Sequence, residues 1–173
     1  AHARHILQYS SFFIPVERAW AVWACSKMGF ASRLDGSFGY DRRGAQPRKL
    51  RNAKTDFTTE LCERLEHATI ESRDALQVIE TYDTPEAFHF VDPPYVDTNS
   101  GHYTDIFGRR ELQDLLEVLS QVQGKFMLTG FPDEDIQRYA DKHGWHIHKV
   151  ERTISASRTK RRKQEEWMVV NYE

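Results

Sequence analysis

Residues 92–95 read Asp92-Pro93-Pro94-Tyr95, an acid and an aromatic ring separated by two prolines. A carboxylate followed by a proline carbonyl sets two hydrogen-bond acceptors side by side. The prolines hold the backbone extended and add no competing N–H donors. Two such acceptors suit an amine attached to an aromatic ring. The lone pair of that nitrogen is delocalised, which makes it a poor nucleophile; drawing its hydrogens into hydrogen bonds localises the pair. The Asp92 charge also stabilises positive charge growing on the nitrogen as it is alkylated. Tyr95 offers a flat face on which the ring can stack, worth about 1–3 kcal/mol. No covalent enzyme intermediate is needed, so the lack of a nucleophilic cysteine motif is no objection. A given four-residue string falls by chance in roughly one in a thousand chains of this size. A rigid proline turn after a strand would account for the prolines alone.

The elements around this tetrad alternate. Ala68 to Ser72 reads as a strand, Ala75 to Thr81 as a helix and Ala87 to Val91 as a buried strand. The stripe of Leu112, Leu115, Leu116 and Leu119 predicts a helix from Arg110 to Gln121. Lys125 to Thr129 reads as a strand and Glu134 to Lys142 as a helix. Trp145 to Ser155 and Glu166 to Tyr172 read as two closing strands, one of them antiparallel because the connection is short and polar. This is an α/β pattern: a mostly parallel sheet with helices on both faces. Ligands of such sheets sit beyond the carboxyl ends of the strands, after Ser72, Val91 and Thr129. Upstream, Val16 to Met28 is apolar enough for a buried helix. The Gly-, Arg- and Ser-rich stretch from Phe30 to Lys54 reads as a long exposed loop. A further helix is expected from about Asp56 to Glu66, with Phe57, Leu61 and Leu65 on one face.

Charge is segregated along a chain whose formal net charge is only −2. Between Arg33 and Lys54, seven basic residues (Arg33, Arg42, Arg43, Arg48, Lys49, Arg51, Lys54) stand against Asp35 and Asp41. Arg158, Lys160, Arg161, Arg162 and Lys163 form a second cluster. Two basic runs on an otherwise acidic chain point to a polyanion as partner. The 39% hydrophobic and 29% charged content is that of a globular domain, and no run is apolar enough for a membrane span. Cys25 and Cys62 lack the spacing of a zinc site or disulfide framework. His143, His146 and His148 have no acid or cysteine beside them to complete a metal site, so no metal is expected. His89 reads as a packed residue of its strand.

The tetrad after an apolar strand resembles the catalytic motif of amino-methyltransferases that use S-adenosylmethionine. The wider frame is similar to the Dam-type DNA adenine-N6 methyltransferases, through Trp20 to Arg42, Ile70 to Ile79, Gly101-His102-Tyr103, Gly124 to Gly130 and Glu166 to Tyr172. The resemblance implies a Rossmann-like methyltransferase sheet with a mainly helical and loop-built target-recognition insertion. Residues 1–66 would form the target-recognition region and 67–173 the C-terminal part of the catalytic domain. It implies that Asp92, Pro93, Pro94 and Tyr95 hold an adenine rotated out of duplex DNA. Asp74 would approach the adenine ring of S-adenosylmethionine, with Asp92 also at the cofactor, although Asp74 reads equally as a helix N-cap. Arg33, Arg42, Arg43, Arg48 and Lys49 would read the target, and the cluster from Arg158 to Lys163 would grip phosphates. His102 and Tyr103 would meet phosphate or cover the base. A cytoplasmic enzyme of bacterial or phage origin is expected.

The family's Phe-x-Gly-Gly-type loop, which wraps the methionine part of the cofactor, has no counterpart here, since no glycine occurs upstream of Trp20. The first two strands of the sheet are therefore expected to be missing: either a companion polypeptide segment supplies them, or the gene is truncated, or they lie outside this segment. The alternatives are a catalytically inactive DNA-binding remnant and an N4-cytosine methyltransferase, whose motif more often opens with serine. The acid at position 92 favours adenine.

Overall fold

The chain is described by a computed structural model covering residues 2–29, 34, 45–55, 58–96, 107–154 and 162–173. It divides into two compact units, residues 1–70 and 71–173.

In the first unit, Pro15 opens helix α2 (Pro15–Met28) where a missing N–H costs nothing, and Glu17 accepts the Ile14 N–H at 3.2 Å. Helix α1 (His2–Gln8) packs against α2 through Ala3, Ile6, Ala21, Ala24 and Cys25. Only that stripe of α2 is buried. Val16 and Trp20 lie on the i, i+4 row that leads to Ala24, at the edge of that stripe, yet are 68% and 45% exposed, so the helix is not the buried one expected. Helix α3 (Ala45–Lys54) corrects the long loop expected there. Between Ala45 and Lys54 there is no glycine, Pro47 falls in the tolerant first turn, and the rest are mostly good helix formers. Helix α4 (Thr59–Glu66) forms as expected, but Leu61 and Leu65 on its apolar stripe are exposed.

The second unit holds a four-stranded sheet among the described residues. Its strands are β1 (Phe88–Val91), β2 (Lys125–Gly130), β3 (His146–Ile154) and β4 (Arg162–Val170), in the order β1-β2-β4-β3. β1 and β2 are parallel, whereas β4 runs antiparallel to both β2 and β3. The closing pair is thus antiparallel as expected, but the sheet is mixed rather than mostly parallel. Residues 68–72 form no strand, and Ile70 is exposed. A strand persists only where a neighbour takes up its N–H and C=O groups, and this segment has none among the described residues.

Helices α5 (Ala75–Tyr82), α6 (Arg109–Leu119) and α7 (Glu134–His143) join one core. Leu112, Leu115, Leu116 and Leu119 of α6 meet Ile79 of α5, Ile136 and Ala140 of α7, and Phe126, Leu128, Trp167 and Val169 of the sheet. Each buried leucine contributes about 1.5–3 kcal/mol. The pairing register puts those four sheet residues on one face. Phe88 and Phe90 point to the other face and are 53% and 63% exposed. Among the described residues, the helices of this unit therefore cover one face, not both. Two backbone positions require glycine. Gly124 has no room for a side chain, because a Cβ there would lie 2.6 Å from the Ala87 carbonyl oxygen. Gly144 ends α7 in the left-handed conformation at φ 71°.

Candidate active site

The parallel register of β1 on β2 builds the site. Val91 lies opposite Leu128, so one further step brings Asp92 opposite Thr129 at the carboxyl ends of the two strands. There the Thr129 hydroxyl donates to Asp92 Oδ1 at 2.5 Å, and the Tyr95 hydroxyl donates to the same oxygen at 3.3 Å. Among the described residues nothing donates to Asp92 Oδ2, and the carboxylate is exposed. The Tyr95 ring stands edge-on to Phe131, with centroids 4.5 Å apart and planes at 73°. Burial raises the Tyr95 phenol above its usual value. The Asp92 and Glu166 charges act in the same direction against the opposing Thr129 hydroxyl. The phenol therefore stays protonated and remains a donor.

Two concavities meet at the prolines. A cavity of about 240 Å³ is lined by Pro93, Pro94, Tyr95, Phe107, Thr129 and Phe131, among others. A groove of about 880 Å³ runs between β1, α5 and α6, with Asp74, Leu76, Phe90, Asp92 and Leu115 among its lining. Pro93, Pro94 and Phe107 line both. The exposed carboxylate thus opens on the groove, and the Tyr95 ring on the smaller cavity.

The loop after β2 is held by ion pairs. Arg109 at the start of α6 pairs with Asp133 Oδ2 at 2.5 Å and with Asp135 at 3.4 Å. Asp135 also accepts from Gln113 at 3.1 Å and pairs with Arg138 at 2.6 Å. Gln113 and the two arginines hold the Asp135 carboxyl below the usual range against the opposing effect of burial. Asp133 caps α7 by accepting the Asp135 and Ile136 N–H groups. Phe131 is therefore anchored on both sides, by β2 and by the α6–α7 clamp.

The sequence-level site residues divide three ways. Asp92, Pro93, Pro94 and Tyr95 come together at the end of β1, and Asp74 lines the same groove as Asp92. Asp74 is also an N-cap: its Oδ1 accepts the Leu76 N–H at 3.0 Å and the Gln77 N–H at 3.4 Å. Arg48 is exposed on α3, with Lys49 beside it in the same helix. Arg162 starts β4, and Lys163 pairs with Glu151 at 2.8 Å. Arg33, Arg42, Arg43, Tyr103, Arg158, Lys160 and Arg161 lie outside the described residues. Thr129 and Phe131 escaped sequence reasoning. The signal was there in part, because both strands were legible and Thr129 ends the second, but only their register pairs it with Asp92.

Among the described residues no group of three His, Cys, Asp or Glu is placed to hold a metal ion, and no helix is long and apolar enough to cross a membrane. His143 stacks on Trp145 with centroids 5.5 Å apart. His89 pairs with Asp83 at 3.1 Å. No protein-family model matches the chain, and no curated protein matches it.

Proposed function

We propose that this chain carries the catalytic motif of a DNA methyltransferase that modifies N6 of a flipped-out adenine, with S-adenosylmethionine as methyl donor. The observation that carries the reading is the placement of the tetrad. Asp92 is exposed at the carboxyl end of a parallel strand, beside a groove large enough for a cofactor, and Tyr95 lines an adjoining aromatic cavity.

The residues present suit the adenosine end of the cofactor. The groove is apolar along Leu76, Ile79, Phe90 and Leu115 and carries the Asp74 carboxylate, whose Oδ2 is not used by the cap. When bound, S-adenosylmethionine supplies an electrophilic methyl group on a sulfonium sulfur, which departs as a neutral thioether. Tyr95, its ring braced edge-on by Phe131, would stack on the target base. Asp92 Oδ2 and the Pro93 carbonyl would accept the N6 hydrogens and concentrate the lone pair on nitrogen. Asp92 would offset the positive charge on N6 and then pass the surplus N6 proton to solvent.

The glycine loop is the part of the family pattern for which these residues offer no equivalent. β1 ends the sheet with its outer edge unpaired among the described residues, beside exposed Phe88 and Phe90. A strand bearing that loop, supplied by a companion segment, would pair along this edge and cover the bare face. The basic stripe on α3 would face duplex DNA.

The test is transfer of labelled methyl groups to duplex DNA by the complete gene product. Asp92→Ala should abolish transfer while leaving the fold intact, because it removes an acceptor needed mainly in the transition state. A near-normal rate for that variant would exclude the assignment.

A further inference from the structure

The two oxygens of the Asp92 carboxylate are not equivalent. Oδ1 takes both hydroxyls, Thr129 at 2.5 Å and Tyr95 at 3.3 Å, whereas Oδ2 accepts nothing among the described residues. Asp92 follows a strand and precedes two prolines, so its backbone is restrained, but an exposed aspartate side chain can still rotate about χ1 and χ2. Thr129 is better anchored. It lies within a paired strand, opposite Met168 of β4 on one side and one register step past Leu128 on the other. Its β-branched side chain is stiff at χ1, and its hydroxyl also lies 3.5 Å from the Val91 carbonyl oxygen.

We infer that Thr129 is a positioning residue: its hydroxyl locks Asp92 Oδ1 against β2 and so presents Oδ2 to the amine of the substrate. This rests on the proposed function for the identity of that amine, but the lock itself is a property of the chain. The hydroxyl has one proton. At 2.5 Å from a carboxylate and 3.5 Å from a carbonyl, that proton goes to Asp92. Tyr95 adds a second, longer bond to the same oxygen, so its ring and the carboxylate are oriented together. The acceptor for the amine and the platform for the ring thus become one rigid unit.

Thr129→Val keeps the branched shape and removes the hydroxyl; Thr129→Ser keeps the hydroxyl. In single-turnover methyl transfer by the complete gene product, Thr129→Val should slow the chemical step on the order of 10- to 100-fold while DNA affinity stays unchanged. Thr129→Ser should recover most of the rate. A residue that merely stabilised the fold would not divide its effect in this way. A double-mutant cycle between Thr129→Val and Asp92→Ala, read as urea midpoints, tests the lock without any activity. Non-additive midpoints are expected, and additive ones would overturn the lock. If Asp92→Ala abolishes transfer while Thr129→Val matches the parent, positioning by Thr129 is wrong and the methyltransferase reading stands. If Asp92→Ala transfers normally, the reading itself falls, and the inference with it.

Discussion

The Asp83 carboxylate and the Gly124 N–H, 41 residues apart in sequence, meet at 3.0 Å. The same carboxylate takes the Gln123 N–H at 2.7 Å and the His89 ring at 3.1 Å. One side chain thus ties the end of α5 to the starts of β1 and β2, at the far end of the strands from Asp92. Registering those two strands is what brings Asp92 and Thr129 opposite each other.

Acid should loosen this tie. Burial pushes the Asp83 carboxyl up, but the Gln123 and Gly124 N–H groups and His89 more than offset it and leave it below the usual carboxylate range. A lowered folded value means that its stabilisation is present above about pH 4 and is lost as pH falls through that lowered value. Asp83→Ala should cost about 1–3 kcal/mol near neutrality and flatten the acid side of the stability curve. Urea melts of both proteins between neutral and strongly acid pH would show it; parallel curves would refute the role.

Gly124→Ala should be destabilising despite the small change. The added methyl would sit 2.6 Å from the Ala87 oxygen and 2.7 Å from the Thr84 oxygen, and both are backbone atoms that cannot swing away. A loss of about 1–3 kcal/mol is expected in denaturant titration. Gly108→Ala meets only the Glu111 side chain, at 3.3 Å, and serves as the mild control.

Helix α3 carries Arg48, Arg51 and Lys54 at spacings of three, all exposed and turned away from buried Ala53, and no acidic residue. If this stripe meets DNA phosphates, Arg51→Gln together with Lys54→Gln should weaken binding to all duplexes alike. The salt dependence should flatten by about one unit per lost contact. Fluorescence anisotropy across a salt series measures both. Unchanged slopes would remove α3 from the interface.

The edge of β1, unpaired among the described residues, should make residues 1–173 associate when purified alone, since such a strand beside exposed Phe88 and Phe90 is a template for pairing. Phe90→Lys should shift the population toward monomer in sedimentation velocity. A parent that is monomeric throughout would count against a companion strand on this edge.

Local physics set much of this protein and was legible in the residues. The leucine stripe of α6 needs only 3.6-residue spacing, and the core strands need only short apolar runs bounded by turn residues. The cap at Asp74 needs only an acid before a helix, and the tetrad announces itself by composition. What depends on partners distant in the chain was decided by tertiary structure alone. Residues 68–72 have the composition of a strand but no neighbouring strand among the described residues to take up their backbone groups, so they stay irregular. The exposure of Phe88 and Phe90 depends on which face the three helices cover, and no local pattern encodes that choice. Thr129 and Phe131 belong to the site only because β1 and β2 pair in one register. A one-residue slip would turn Thr129 to the opposite face of the sheet and leave Asp92 without its lock.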